Sequence, residues 1–397
     1  MDAIRRVILV CAVIALAACG GGGGGGGGGK RPPLTDNRIP TGDNVVPISV
    51  NGALGPVNLA YVTVTVCEPA STTNCVAINN VLVDTGSTGL RVLASAVANL
   101  PLQQRTNSGN EALFECAQFV DLTHAWGAVK IADVRIGGKV AANTNIQTIG
   151  ISPGVPEPAA CGVADENLDT AAKLGANGIL GVGHYVEDCG LFCEQSANPL
   201  YYGCSGATCA TTTVLTGAQV QNPVARFSSD NNGAIVQLPA IAASGVAAAD
   251  GWLIFGIDTR ANNAIGNAAR FTINASGFLN TRFNGTDYAN SFVDSGSNGL
   301  FFPNTRGIAT CPSNADFYCP ASALNLSATV SGSVGSSAAR EVNFSIANAA
   351  QLDGRFNAFN NLGGVYNAGF DWGLPFFFGR KVFTALETNA GGPYVAF

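Results

Sequence analysis

Two ten-residue stretches, Val83 to Val92 (VDTGSTGLRV) and Val293 to Phe302 (VDSGSNGLFF), repeat one pattern at a separation of 210 positions. Each sets one acid, Asp84 or Asp294, after an apolar run and before a tight hydroxyl-glycine turn. Two such turns brought together place two carboxyl groups side by side, and a carboxyl pair sharing one proton activates water. The ionised member takes a proton from the water while its neighbour protonates the carbonyl oxygen under attack. That chemistry requires no cofactor and no metal, and none is expected. A single Asp-Thr-Gly-Ser is an ordinary β-turn sequence. The information lies in the second copy, with the same Val before the acid and the same Gly-Leu after it.

The elements that must hold these turns read as strands. From Leu59 to Cys67 valines alternate with Ala, Tyr and Thr, a polar loop from Glu68 to Asn74 follows, and Cys75 to Val83 returns, a hairpin leading directly into Asp84. Short apolar runs recur at Val129 to Ile136, Ala234 to Leu238, Trp252 to Ile257, Ala328 to Val334 and Val382 to Leu386, punctuated by Gly, Asn, Asp and Pro. Helical periodicity is confined to short candidates at Leu93 to Leu100 and Asp169 to Leu174. The class is mainly β. With one acidic motif early in each half, the chain divides into an N-terminal β lobe at 44–240 and a C-terminal β lobe at 241–397, the boundary falling between the Ala234 to Pro239 and Trp252 to Asp258 strands.

The N-terminus reads as an address. Arg5 and Arg6 precede an apolar run from Val7 to Ala18, too short to span a bilayer as a helix. Leu16-Ala17-Ala18-Cys19 looks like a lipobox, which makes 1–18 a lipoprotein signal peptide and Cys19 the lipidated mature terminus, with an ordinary secretory signal as the alternative. Gly20 after the cysteine, in place of an Asp, points to the outer membrane of a Gram-negative envelope. Residues 19–43, with glycine from Gly20 to Gly29 and then Lys30-Arg31-Pro32-Pro33, form a flexible tether. The Gly24 to Lys30 segment is no phosphate loop, because Arg31 stands where Ser or Thr must hold magnesium. Charged residues make up only 12 per cent, the net charge is −6 and the pI about 4.9, so no basic stripe exists for nucleic acid. The membrane is met through the lipid alone, and a monomer is expected.

Beyond Cys11 and Cys19, ten cysteines remain, an even number that in an exported chain reads as disulfides. Cys67 with Cys75 and Cys311 with Cys319 each close a short loop. Cys189–Cys193 and Cys204–Cys209 are the local pairs, although crossed pairing among those four is equally allowed, and Cys116–Cys161 is the remaining candidate. Zinc is a poor reading with only His124 and His184 in the mature chain and no closely spaced CxxC pairs. The same histidines do not serve a serine nucleophile, since no G-x-S-x-G elbow accompanies them. Phe376-Phe377-Phe378 reads as core.

With these residues in view, the chain resembles the pepsin-like aspartic proteases. Besides the two motifs, Trp126-Gly127 and Asp133 to Gly138 (DVRIGG) look like the stretch after that family's flap. Ala176 to Gly183 (ANGILGVG) is similar to its DGILGLA segment, and Gly251 to Asp258 (GWLIFGID) to its interlobe strand. Trp372 to Arg380 (WGLPFFFGR) matches WILGxxFxR at Trp, Leu, Phe and Arg. The nearest likeness is to an uncharacterised family of proteobacterial pepsin-like lipoproteins. The resemblance implies a bilobal acid-protease fold with a cleft between related lobes, Asp84 and Asp294 as the catalytic dyad, and a peptide or unfolded protein substrate bound in extended form. It also implies that Thr85 and Ser295 bond across to the opposite lobe, that Ser87 and Ser297 donate to the carboxylates, and that Gly86 and Gly296 allow close backbone approach. Hydroxyl donors favour the ionised acid, so lowered dyad pKa values and an acidic optimum are expected.

Two positions depart from the family. No tyrosine lies between Glu111 and Lys130, where a flap tyrosine belongs, which leaves His124 and Trp126 as the flap candidates. In the C-terminal landmark Pro375 takes the place of the packing glycine. The reading is therefore an aspartic endopeptidase, with a non-catalytic pepsin-like binding or scaffold lipoprotein of the cell envelope as the alternative. A β-rich adhesin with a coincidental repeat is a third reading, in which Asp84 and Asp294 never meet.

Overall fold

The computed structural model describes residues 40–397 except 151, 153, 163–165 and 334–337. The signal peptide, Cys19 and nearly all of the tether lie outside the described residues. Among those described, no helix is long and apolar enough to cross a membrane.

The chain is mainly β and builds a barrel and a half-barrel. The hairpin Ala60–Cys67 and Cys75–Asp84 forms as its valine alternation dictates, and the Cys67–Cys75 disulfide staples its loop. Two strands continue around one side, Gly178–Val182 and Thr88–Leu93, followed by Lys139–Ile149 and His124–Ile136. Pairing of Thr65 with Arg135 and of Cys67 with Asp133 closes the ring. Closure removes the free edges that a hairpin of this length otherwise exposes.

The sheet runs on through Val45–Val50, Ala249–Phe255, Gly233–Leu238, Arg380–Ala385, Tyr394–Ala396 and Arg270–Thr272. The two strands on either side of the expected boundary thus pair directly, Ala234 opposite Phe255 and Gln237 opposite Trp252. The half-barrel is a second sheet that includes Leu279–Phe283, Thr286–Val293, Leu300–Phe302, Asp371–Trp372 and the hairpin of Leu324–Ser331 with Ala339–Ile346. Its interior is aromatic. Phe302 stacks on Phe370 at 5.3 Å and Phe370 on Trp372 at 5.2 Å, with Phe283 edge-on to both phenylalanines. The short helix candidates appear as a 3-10 turn at Ala94–Val97 and one α-turn at Ala171–Leu174. Phe376, Phe377 and Phe378 are buried, as the apolar run requires.

All five disulfides have the expected partners. Local pairing holds for Cys189–Cys193 and Cys204–Cys209, which removes the crossed alternative, and Cys116 joins Cys161.

The two bodies are braced by buried polar side chains. Asn58, fully buried with φ of 58°, donates through its amide nitrogen to the carbonyls of Asn298 and Phe359 at 2.8 and 2.9 Å and accepts from the Phe359 N–H at 2.7 Å. Asn tolerates the left-handed backbone that this position needs. Truncation leaves three buried backbone groups without partners. Asn58→Ala is expected to cost at least about 3 kcal/mol in chemical denaturation; a loss below about 1 kcal/mol means that the brace does not operate.

Candidate functional site

Each acidic motif is a strand, a turn and a strand, with a third strand threaded between the two. Cys75–Asp84 runs parallel to Gly178–Val182, with Asp84 opposite Gly181, and the same inserted strand is antiparallel to Thr88–Leu93. In the half-barrel, Thr286–Val293 runs parallel to Asp371–Trp372, with Val293 opposite Trp372, and that strand is antiparallel to Leu300–Phe302. The registers make Ile179-Leu180-Gly181 equivalent to Asp371-Trp372-Gly373.

This equivalence corrects the expectation at Pro375. The packing glycine of the second motif is Gly373, where a Cβ would lie 2.0 Å from the Gly299 carbonyl oxygen and 2.8 Å from that of Ser297. Pro375 sits two residues on, near the start of a 3-10 turn at Leu374–Phe376. A missing N–H costs nothing there, and the Leu374 N–H still donates to the Ser297 carbonyl at 2.7 Å. The apolar run after Pro375 drew the match two positions too far along the chain.

The turns meet through reciprocal bonds. Thr85 Oγ1 donates to the Val293 carbonyl and accepts from the Ser295 N–H, while Ser295 Oγ donates to the Val83 carbonyl and accepts from the Thr85 N–H, at distances of 2.7 to 3.1 Å. All four groups are buried, so each bond is protected from exchange with water. The result is a fixed separation of the two turns.

Asp84 and Asp294 are both fully buried and close enough to share a hydrogen bond. Gly86 and Gly296 permit this approach, since a Cβ on Gly86 would fall 2.5 Å from Asp294 Cγ and one on Gly296 2.8 Å from Asp84 Cγ. Each acid receives its own donors. The Gly86 N–H and the Ser87 hydroxyl donate to Asp84 at 2.8 and 2.5 Å, and the Gly296 N–H and the Ser297 hydroxyl lie 2.7 and 3.0 Å from Asp294.

These donors pull the pKa values down, as the sequence suggested, but they do not win. Burial first, and then the charge of Asp294, push Asp84 well above the ordinary carboxylate range. Burial likewise raises Asp294, against its hydrogen bonds to Asp84, Gly296 and Ser297. The pair therefore keeps a proton between its members to higher pH than a free carboxyl keeps its own.

A third acid was not anticipated. Asp371, 2% exposed, lies 2.6 Å from Ser297 Oγ, the same oxygen that bonds to Asp294. Burial and then the charge of Asp294 push it well above the carboxylate range. The sequence signal for it is the second hydrophobic-hydrophobic-glycine segment, which ends on Gly373 and has an acid where the first has Ile179.

A cavity abuts Gly86 and Ser87 and is walled by Phe119, Phe278 and Phe292, with Arg91 and Asp188 also in its lining. Arg91, buried at the motif position where the second copy has Phe301, pairs with Glu115 at 2.5 Å and Asp188 at 3.1 Å. Burial opposes the guanidinium charge, but these carboxylates hold Arg91 protonated. Burial pushes Glu115 up against the pull of Arg91; the 2.5 Å contact favours the ionised pair. A charged residue inside an apolar motif was the sequence signal for this network.

The flap candidates go elsewhere. His124 and Trp126 start the returning strand of the hairpin that carries the 119–123 turn, and both are buried away from the cavity. His124 bonds to Glu157 at 2.7 Å, and Trp126 packs between Phe114 and Tyr202. Phe119, at the start of the turn, lines the cavity together with Ala117 and Gln118 of the outgoing strand, while Trp126 lies further down the hairpin opposite Cys116. The ligand atoms of His124, Glu157 and Cys161 come within 4.8 Å of one another, but the Cys161 sulfur is bound to Cys116, which leaves that group two ligands.

Fold and site together define a mainly β protein whose barrel and half-barrel present two buried aspartates to each other. A family model described as "Protein of unknown function (DUF3443)" matches residues 40–397, and the chain belongs to that family. No curated protein matches the chain.

The raised pKa values have a consequence for stability. Between the unfolded value near 4 and the higher folded values, the native state binds more protons than the unfolded chain, so this contribution is complete below about pH 4 and is lost as pH rises. Asp84→Asn removes one titrating member. Its melting temperature is expected to exceed that of the native chain by about 2–4 °C at pH 7, with the difference vanishing below about pH 4; equal melting temperatures at both pH values contradict the buried, proton-sharing pair.

Proposed function

We propose that the protein is an aspartic endopeptidase of the pepsin-like fold, with the barrel and half-barrel as its two lobes and Asp84 and Asp294 as the dyad. The observation that carries this reading is the matched pair of buried carboxyls, presented by two equivalent turns, locked by reciprocal bonds and sharing one proton. Water held between them loses a proton to the ionised carboxylate as it attacks the scissile carbonyl carbon, while the protonated carboxyl gives its proton to the carbonyl oxygen. The tetrahedral intermediate collapses when the leaving nitrogen is protonated. The aromatic walls at Phe119, Phe278 and Phe292 suit apolar side chains on either side of the bond cleaved. In this reading Cys19 anchors the enzyme to the cell envelope, and the glycine tether gives it reach over extended substrates.

The alternative, a binding protein without turnover, is favoured by one feature. Phe119 stands on the cavity side of the hairpin and carries no hydroxyl to bond with a substrate or a neighbour.

The test is hydrolysis of an unfolded protein by the mature chain from pH 3 to 7, with pepstatin as a mimic of the tetrahedral intermediate. Turnover is expected, abolished by pepstatin and reduced by at least about a thousandfold in Asp84→Asn and Asp294→Asn. Well-folded native protein without turnover at any pH sinks the protease reading. Peptide binding retained under those conditions supports the alternative.

A further inference from the structure

Ser297 Oγ lies between two acids, 3.0 Å from Asp294 Oδ2 and 2.6 Å from Asp371 Oδ2. A hydroxyl has one hydrogen, so it donates to one of these oxygens and accepts from the other, which must then carry a proton itself. The surroundings decide which. Asp294 Oδ1 accepts the Gly296 N–H at 2.7 Å, whereas Asp371 Oδ1 is buried with no partner. An oxygen without a donor is far cheaper to bury on a neutral acid than on a carboxylate.

We propose that Asp371 is a protonated positioning residue that donates to Ser297 and so aims the Ser297 hydroxyl at Asp294. The three acids Asp84, Asp294 and Asp371 then hold two protons and one charge, and the charge rests on Asp294. The first motif has no counterpart among the described residues, because Ile179 occupies the register position of Asp371 and the Ser87 hydroxyl bonds to Asp84 with no second acid on it. The members of the pair are inequivalent in consequence. In the proposed hydrolysis, on which this role assignment rests, Asp294 is the base and Asp84 the acid.

The groups that act on Asp371 are Asp294 and Asp84, with Tyr366 feeling its charge, and no cation is among them. Burial and these like charges favour its neutral form. As pH rises Asp371 finally releases its proton to solvent, the Ser297 hydrogen turns towards it, and Asp294 loses its hydroxyl donor while gaining a second negative neighbour. Asp371 thus sets an upper pH limit on the site.

Two measurements test this on the mature chain. The first is carbon-13 NMR titration of aspartate-labelled protein, with Asp371 assigned by the signal lost in Asp371→Asn. A protonated Asp371 at about pH 5, where an ordinary carboxyl is ionised, is expected; an ionised one overturns the proposal whether or not the protein cleaves peptides. The second is the pH profile of turnover in Asp371→Asn and Asp371→Leu. Both remove the charge, but only the amide keeps a donor for Ser297. The alkaline limb is expected to move up by roughly one pH unit in Asp371→Asn, and Asp371→Leu to lose roughly tenfold more kcat than Asp371→Asn. Turnover with an unmoved alkaline limb and equal kcat in the two variants overturns the proposal and leaves the protease reading intact. Absent turnover in native protein with a protonated Asp371 does the reverse.

Discussion

Two carboxyl groups held within hydrogen-bond reach in a buried site cannot both be ionised cheaply, and most of the architecture around Asp84 and Asp294 serves to keep them there. Without enforcement the pair would relax by separating its turns or by admitting water between them. The barrel closes behind one acid, the aromatic half-barrel fills the space behind the other, and Thr85 and Ser295 exchange four hydrogen bonds across the junction. Gly86 and Gly296 complete the constraint by leaving no Cβ to wedge the carboxyls apart. Each of these devices is unremarkable alone; their convergence on one shared proton is what gives the junction its chemistry.

Two-fold correspondence is the means by which a single chain builds such a junction. Each acid ends one strand, each turn is followed by a returning strand, and in both halves a third strand passes between them so that its glycine packs on the turn. The inserted strand comes from about a hundred residues downstream in the first half and from about eighty in the second. These long-range pairings must form before either carboxyl is positioned, which ties the site to completed folding of both bodies.

Local pattern made much of this legible in advance. The Ala60–Cys67 and Cys75–Asp84 hairpin, the short strands, the two helical turns and the Cys67–Cys75 and Cys311–Cys319 disulfides follow from alternation, turn residues and loop length, whereas the choice between local and crossed pairing at Cys189, Cys193, Cys204 and Cys209 does not. The meeting of the motifs followed from their being two. Pro375 misled because a strong apolar run, Phe376 to Phe378, dominates its neighbourhood, whereas the register is fixed by backbone contact at Gly373, a property of one residue and its missing side chain. His124 and Trp126 misled for a different reason. The cavity is lined by Ala117, Gln118 and Phe119 on the outgoing strand and the start of the turn, and which strand of a hairpin borders a cavity is set by packing against the rest of the fold. The sign of the pKa shifts was missed because donors are named in the motif, while burial belongs to the whole fold.

The departures from two-fold correspondence carry more chemical information than the matches do. Identical environments would leave the shared proton with no preferred owner, and an acid and a base would be distinguished only by the substrate. Here Ile179 backs one turn and Asp371 the other, while Arg91, where the twin motif has Phe301, lines the cavity with Asp188 and pairs with both Asp188 and the buried Glu115. A buried acid behind Ser297 and a buried arginine after Ser87 are both costly in an apolar setting. Packing explains neither, since apolar residues fill the equivalent positions of the opposite half. In the proposed hydrolysis such polar groups bias the proton between two otherwise equivalent oxygens, which would give a symmetric frame a direction of proton transfer.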